Sequence, residues 1–548
     1  MDVSNGDLAF LPLGGTGEIG MNLNLYRCDG AWLAVDCGIG FSGNDAPEVD
    51  ILMPDPAFIE EHRASLVGLV ITHAHEDHIG AVAHLWPRLG CPVYATAFAA
   101  AVLRRKLGEA GLLGRVPLHV MDRGGRFTLE PFSLQFIDVT HSVPEAQALV
   151  IRTRYGTVLH TGDWKLDPNP LIGAPVDLDL FASLGREGVL AMVCDSTNAL
   201  VEGESGSESE VRRSLASLIA GISGRIAVTC FASNVARIES IAFAAEAAGR
   251  SVAVVGRSLR NLEVAARECG YLRQVPAFLS EQDAQLVSDD NLLMIVTGSQ
   301  GEPRSALSRI AADTHPNISL GEGDTVIFSS RMIPGNERAI MGVQDSLVRR
   351  GVRVLTDEDH MVHVSGHAAR DDLRRLYGLV RPRYAIPVHG EWRHLAAHAE
   401  LARSEGATPI LLEDGDVLSL STQTVEVVDS VPTGRLALDG NRVLPLDGAI
   451  LSARRRMLIN GVVVGSIVVD EDGEMLGEPQ VSAPGLLDPG DAEQARVVDA
   501  FAQALSELPL ELRQEEGLFR EAARSALRRA LGRRLQKRPM IDVHLIRV

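Results

Sequence analysis

The run Thr72-His73-Ala74-His75-Glu76-Asp77-His78-Ile79-Gly80 packs three histidines and an aspartate into six residues, directly after the apolar stretch Leu69-Val70-Ile71. Side chains so dense in imidazole and carboxylate converge on metal only from a tight strand-to-helix turn. His73 and His75 alternate with Ala74, so both project to one side of an extended segment and can share an ion. Asp77 and His78 fall on the turn that follows, placed for a second ion. Nitrogen donors mixed with carboxylate suit zinc or manganese better than magnesium, which prefers an all-oxygen shell. Two cations roughly 3.5–4 Å apart would let a bridging hydroxide attack phosphorus or a carbonyl carbon near neutral pH.

Working outward, the same wording recurs: a short apolar run ending in a titratable residue. Trp32–Val35 precedes Asp36, Phe136–Val139 precedes Thr140 and His141, and Val158–Leu159 precedes His160 to Asp163. Val189–Cys194 precedes Asp195, and Tyr384–Val388 precedes His389. Such runs read as buried strands, and functional groups at strand C-termini are the usual arrangement of α/β sheets. His141, Asp163 and His389 are therefore the candidates to complete the ligand set, with Asp163 able to bridge two cations. Asp36 is expected to hold a ligand or its loop by hydrogen bonds.

Between 208 and 356 strand-like runs alternate with helical stretches and histidine becomes scarce, as in a β-α-β unit with a parallel sheet inserted into the metal-bearing domain. The expected organisation is a first part of the metal-bearing domain at 1–207, the insert at 208–356, and a second part at 357–435. A Gly-rich linker at 436–458 and a small C-terminal α+β domain at 459–548 follow. That domain is expected to contain a strand over Val462–Val469 and helices over Ala492–Leu508 and Glu515–Leu531.

No apolar run approaches the ~20 residues needed to span a bilayer. Met1 to Leu13 lacks a basic start and a small-residue cleavage site, so no signal peptide is expected there. The six scattered cysteines form no C-x-x-C pair and read as buried thiols of a reducing compartment. No membrane association and a cytoplasmic location are the expectation. A net charge of −20 argues against indiscriminate nucleic-acid binding but leaves room for a local basic channel. Arg524 to Val548 runs against that balance, with eight Arg or Lys and one Asp. It reads as an amphipathic helix ending in a strand at Ile541–Ile546, with contact to RNA or assembly as the competing uses.

The order H-x-H-x-D-H, a lone His, Gly-Asp after a strand, and a further His resembles the metallo-β-lactamase superfamily. The insert and its flanks resemble the β-CASP branch of nucleic-acid nucleases, and within it the bacterial ribonuclease J family. The resemblance runs from Leu11-Pro12-Leu13-Gly14-Gly15 and Glu18-Ile19-Gly20 through Thr161-Gly162-Asp163, Cys194-Asp195-Ser196-Thr197 and Phe231-Ala232-Ser233-Asn234. It continues through Ile333-Pro334-Gly335-Asn336-Glu337, His363-Val364-Ser365-Gly366-His367 and Pro387-Val388-His389-Gly390-Glu391. Met21 and Trp392 stand where the family commonly has a basic residue and Tyr. The resemblance implies an αββα sandwich carrying an inserted Rossmann-like β-CASP domain and a small C-terminal domain. It implies His73, His75, His141 and Asp163 around one ion, and Asp77, His78, Asp163 and His389 around the other.

It also implies a ribonuclease of RNA processing, rRNA maturation and mRNA decay, with 5′→3′ exonuclease action on 5′-monophosphate RNA and endonuclease action. His367 would stabilise charge or protonate the leaving oxygen, and Asp77 and Asp195 complete the catalytic candidates, Asp195 positioning a metal-ligand His or, as the competing reading, serving as a structural cap. Ser233, His363, Ser365 and Gly366 would hold the 5′-phosphate. Single-stranded RNA is the expected partner, and a homodimer or homotetramer the expected assembly. On the residues alone, three features favour nucleic acid: the insert, which can close a channel over a strand; the 363–367 turn, which can offer N–H groups and a hydroxyl to phosphate; and Ser329 to Asn336, which ends a strand before a helix N-terminus. A DNA nuclease of the same branch, a small-molecule lactamase or thioesterase, and an inactive RNA-binding scaffold are the rivals. His389 favours RNA over DNA, because DNA-directed members tend to carry Val at that place.

Overall fold

Along the strand Gln147–Thr153, Leu149 and Ile151 enter one apolar core while Ala148 and Val150 enter another. That period-two division requires a sheet buried on both faces. A computed structural model describes residues 8–42, 46–333, 335–420, 425–488, 490–532 and 537–548. The chain divides into a larger unit, Met1–Gly43 with Ile51–Gly434, and a smaller one, Asn44–Asp50 with Arg435–Val548.

In the larger unit an eight-stranded sheet runs in the order Val425–Ser430, Asp416–Leu420, Ala9–Gly14, Leu23–Cys28, Ala31–Val35, Leu66–Val70, Val93–Ala95, Leu118–Val120. A seven-stranded sheet runs Arg126–Leu129, Phe132–Asp138, Gln147–Thr153, Gly156–His160, Ala191–Asp195, Tyr384–Val388, Thr408–Pro409. The two pack face to face through Phe10, Tyr26, Val35, Phe136, Leu149, Val193 and Ile386. Helices Leu178–Glu187, Arg370–Val380 and Trp392–Ser404 cover the outside of the second sheet through Leu184, Leu376 and Leu401. Helices Val82–Leu89 and Ala97–Glu109 make the crossovers between the parallel strands of the first. This is the αββα sandwich expected from the sequence.

The inserted segment starts with helix Glu208–Ala220 and ends with strand Arg353–Leu355. Its five strands are all parallel, in the order Ser251–Val255, Leu292–Val296, Ile226–Thr229, Thr325–Phe328, Arg353–Leu355. Every residue of Leu292–Val296 is buried, as a strand covered by helices on both faces demands.

In the smaller unit, Val462–Val469 pairs in parallel with Met540–Arg547 and antiparallel with Gln480–Ser482. Helices Ala492–Ser506 and Glu516–Gly532 pack on this sheet through Phe501, Leu505, Phe519 and Leu527. The stretch expected as a linker holds the hairpin Arg435–Asp439/Arg442–Pro445 and the helix Ala449–Asn460. Pro334, the N-terminal seven residues and 533–536 of the basic tail, all used in the sequence reading, lie outside the described residues. Among the described residues, no helix is long and apolar enough to cross a membrane.

Candidate metal centre

The strand Leu66–Val70 delivers Thr72 and His73 to its C-terminal end, and the short helix Glu76–Ile79 turns Asp77 and His78 back over it. This turn is stapled by backbone from two other segments. Cys37 donates to the His78 carbonyl (2.7 Å), Ile39 to Glu76 (2.9 Å) and Asn22 to Asp77 (3.0 Å). Strand ends after Gly156–His160, Ala191–Asp195 and Tyr384–Val388 bring Asp163, Asp195 and His389 to the same rim. His389 has φ of 53°, a left-handed backbone uncommon outside glycine, and its N–H donates to the Gly15 carbonyl at 2.6 Å.

Asp163 Oδ2 is the hub. It lies 3.7 Å from His73 Nε2, 3.8 Å from His141 Nε2, 3.2 Å from His78 Nε2 and 3.4 Å from His389 Nε2. His75 Nδ1 and His141 Nε2 approach to 3.0 Å, and Asp77 Oδ2 comes within 3.5 Å of His389 Nε2. Three groups share Asp163, each with donor atoms within 4.8 Å of one another: the two expected ligand sets, His73, His75, His141 and Asp163, and Asp77, His78, Asp163 and His389, and a third of Asp163, Asp195, His367 and His389. His73 Nε2, His389 Nε2 and Asp163 Oδ1 are buried with no hydrogen-bond partner. Orphaned buried donors of this type, all nitrogen or carboxylate oxygen, fit divalent cations of the zinc or manganese class.

The far sides of the His73, His78, His141 and His389 rings are tied down, which decides which nitrogen faces inward. Asp36, fully buried, accepts from His78 Nδ1 (2.7 Å) and from the N–H and Oγ of Thr72 (both 2.8 Å). Thr72 Oγ stands 3.0 Å from His73 Nδ1, His141 Nδ1 donates to the Gly366 carbonyl at 2.6 Å, and His389 Nδ1 lies 3.2 Å from Asn22 Oδ1. Such partners fix tautomer and ring plane. Burial takes His73 well below the ordinary histidine value, with repulsion from His78 adding to it. Burial also takes His75 down to about 4 and His141 low, so these imidazoles present lone pairs. His78 is the opposite case: burial disfavours its charge, but Asp163, Asp36 and Asp77 raise it well above the ordinary value. Burial would raise the Asp163 carboxyl, yet His389, His78 and His367 hold it well down.

Beside this cluster, His367 Nδ1 donates to Asp195 Oδ2 at 2.8 Å and sits 3.8 Å from Asp163 Oδ2. Burial opposes protonation of His367, but Asp195 and Asp163 lift it to about 9, so Nε2 keeps a proton at neutral pH. Asp195 thus engages His367, and it also accepts from the Thr197 N–H at 2.9 Å at its own strand end. The turn before His367 is held from both sides. Asn198 Nδ2 donates to Ser365 Oγ at 2.8 Å, and a Cβ on Gly366 would lie 2.8 Å from the His141 ring and Ser142 Oγ. His363 is pushed down to about 3 by burial and then by the Arg237 cation, so its imidazole is neutral. Ser233 belongs to the neighbouring turn, ahead of helix Val235–Ala247.

Asn22, Asn198, Glu208 and Arg237 were not singled out from the sequence. Asn22 and Asn198 are lone amides with no spacing signal. Glu208 lies within the acidic run 202–210, just after Ser207, whose Oγ accepts from the Ser209 N–H at the helix start.

Comparisons with known proteins agree along the chain. Residues 31–181 match a beta-lactamase superfamily domain, 223–347 the ribonuclease J beta-CASP domain, 351–412 a Zn-dependent metallo-hydrolase RNA specificity domain and 449–548 the ribonuclease J C-terminal domain. The chain is 44% identical to a ribonuclease J of Sinorhizobium meliloti over 99% of its own length and 98% of the relative's. It is 41% identical to that of Mycobacterium tuberculosis over 92% of the chain and 91% of the relative, and 39% identical to that of Thermus thermophilus over 84% and 82%. A crystal structure of a protein of unknown function from Enterococcus faecalis covers 76% of the chain and all of that protein with a TM-score of 0.54 at 17% identity, a likeness of fold alone. Similarity that spans nearly the whole chain, joined to the His/Asp cluster at the sheet rim, places this protein in the ribonuclease J family of divalent-metal hydrolases.

Proposed function

We propose that the chain is a metal-dependent ribonuclease that removes mononucleotides 5′→3′ from 5′-monophosphate RNA and also cuts internally. RNA processing, rRNA maturation and mRNA decay are its setting, in the cytoplasm. The observation that carries this reading is the His367–Asp195 pair, 2.8 Å apart, standing against the shared ligand Asp163.

His73, His75, His141 and Asp163 would hold one ion, and Asp77, His78, Asp163 and His389 a second, with zinc or manganese suited to the donors. When bound, the ions polarise the phosphate oxygens and lower the pKa of water. Asp36 and Thr72 keep His78 and His73 turned inward throughout. Water adds to phosphorus as the bond to the leaving oxygen breaks, and His367 gives its Nε2 proton to that oxygen while Asp195 holds the ring through Nδ1. Ser365 Oγ, the Gly366 backbone, His363 and Ser233 bind the terminal phosphate. Neutral His363 contributes a hydrogen bond there and not a charge.

We assign 1–207 and 357–435 to the catalytic domain, 208–356 to the β-CASP domain, 436–458 to the connection and 459–548 to a C-terminal domain that supports a homodimer or homotetramer. The deciding experiment offers 5′-monophosphate, 5′-triphosphate and 5′-hydroxyl RNA and single-stranded DNA, with Mn²⁺ or Zn²⁺. Mononucleotides released fastest from 5′-monophosphate RNA, with DNA spared, are the expected result. Equal cleavage of DNA, or indifference to the 5′ group, would overturn it.

A further inference from the structure

Arg237 is a fully buried arginine on the helix Val235–Ala247 of the inserted domain, and every arm of its guanidinium is engaged. Nη2 and Nε donate to the two oxygens of Glu208 at 2.7 and 3.0 Å. Nη1 donates to the carbonyls of Ser329 (2.8 Å) and Val362 (3.0 Å) and to Ser329 Oγ (2.9 Å), and points at His363 Nδ1 from 3.5 Å. Ser329 Oγ donates to the same Val362 carbonyl at 2.6 Å. The segment 362–367 is therefore pinned at its start by the inserted domain. At its other end it is pinned by the catalytic domain, through Asn198 on Ser365 and Asp195 on His367.

Glu208 extends this network in two directions. Its Oε1 accepts from Asn234 Nδ2 at 3.1 Å, and Asn234 follows Ser233 and caps the same helix by accepting from the Arg237 N–H at 2.9 Å. Its own N–H donates to Asp167 Oδ2 at 3.1 Å, four residues beyond the shared ligand Asp163. Lys165, between them, donates to the Gly206 carbonyl at 3.0 Å. One buried polar chain thus runs from the Asp163 loop, through Glu208 and Arg237, to both turns that carry the phosphate-binding candidates. An ion pair in an apolar interior costs desolvation and contributes little net stability; the best-attested use of one is to fix register.

We propose that the Glu208–Arg237 pair is the positioning element that fixes the 5′-phosphate pocket at one distance from the metal centre, and so sets single-nucleotide stepping and the preference for a 5′-monophosphate end. This rests on the function proposed above and names the residues that enforce its register. Arg237 does so through Val362 and His363, whose Nδ1 it faces, leaving Nε2–H as the donor to phosphate. Glu208 does so through the Ser233–Asn234 turn and the Asp167 loop.

The test compares the parent enzyme with Arg237→Lys and with the charge-free double variant Glu208→Gln/Arg237→Gln, which leaves no unpaired buried charge. For each, kcat/KM is measured on 5′-monophosphate and 5′-hydroxyl RNA of one sequence, together with product length and melting temperature. Lys keeps the pair with Glu208 but cannot also reach Ser329 and Val362. We expect the monophosphate-to-hydroxyl ratio to fall about fivefold in Arg237→Lys and tenfold or more in the double variant, with di- and trinucleotides appearing among the products. A merely structural role would lower the melting temperature and both rates together, at an unchanged ratio. A parent-like ratio and purely mononucleotide products in the folded Arg237→Lys variant would overturn the proposal, even if the double variant failed to fold. A parent enzyme indifferent to the 5′ group would instead overturn the phosphate-pocket reading on which it rests.

Discussion

His367 and Asp195 act as a unit whose chemistry differs from that of the ligands a few ångströms away. Asp195 accepts a hydrogen bond from Nδ1–H at 2.8 Å, and the carboxylates of Asp195 and Asp163 raise His367 to about 9 against burial, which favours the imidazolium with a second proton on Nε2. His367→Ala should slow cleavage by about 10²–10⁴-fold, the range of a positioned acid or base, with a far smaller change in RNA affinity. Single-turnover rates set against filter-binding affinities will tell; matched losses in the two would make His367 a binding residue. His75→Ala and Asp77→Ala each strip a donor from one ligand set, so hydrolysis should vanish while RNA still binds and the metal content per chain drops. Full activity in a metal-stripped sample of either variant is the outcome that would sink the metal centre. Gly366 faces a tighter constraint, since a Cβ would meet the His141 ring at 2.8 Å. The clustered histidines and aspartates were legible because such residues stand out against the apolar runs they follow. Asn22, which touches both His78 and His389, was not, since it lies 56 and 367 residues away from them in sequence.

At the scale of elements, the apolar runs before Asp36, His73, His141, Asp163, Asp195 and His389 all became strands, because burial on both faces leaves little other use for such short segments. The 436–458 stretch was harder: in the hairpin the adjacent Leu436 and Ala437 are both buried, and the helix Ala449–Asn460 buries only Leu451, so neither shows a clear apolar period. The Glu208–Arg237 link between helices was invisible for a different reason, since a pair 29 residues apart has no local signature. Its energetics are testable. Glu208→Gln leaves a buried guanidinium uncompensated, a cost of about 3–5 kcal/mol at neutral pH. Burial alone would raise the Glu208 carboxyl, but Arg237 and Lys165 hold it below the ordinary value. Its contribution is therefore complete above the unfolded value of about 4.3 and is lost as pH falls through the folded one. The gap in melting temperature between parent and Glu208→Gln should stay constant from pH 7 to pH 5 and narrow only below that unfolded value. A gap of the same size at pH 3 would contradict the assignment.

Across the whole molecule the net charge is −20, yet Arg524 to Val548 carries eight basic residues against one acid. Deleting that tail would not test a role in RNA binding. It includes the strand Met540–Arg547, which pairs in register along all of Val462–Val469, and the buried Ile541 and Val543 of the small core. Truncation would expose this core and confuse loss of folding with loss of charge. Arg528, Arg529, Lys537 and Arg538 are exposed, so exchanging them for Gln removes charge without opening the interior. If these side chains neutralise phosphates, the slope of log affinity against log salt should become shallower by about 0.7 for each one in contact with single-stranded RNA. Affinity at low salt would fall while kcat on saturating RNA held. An unchanged slope, with oligomeric state also unchanged by light scattering, would assign the basic face neither to RNA nor to assembly and leave it as a solvated helix surface.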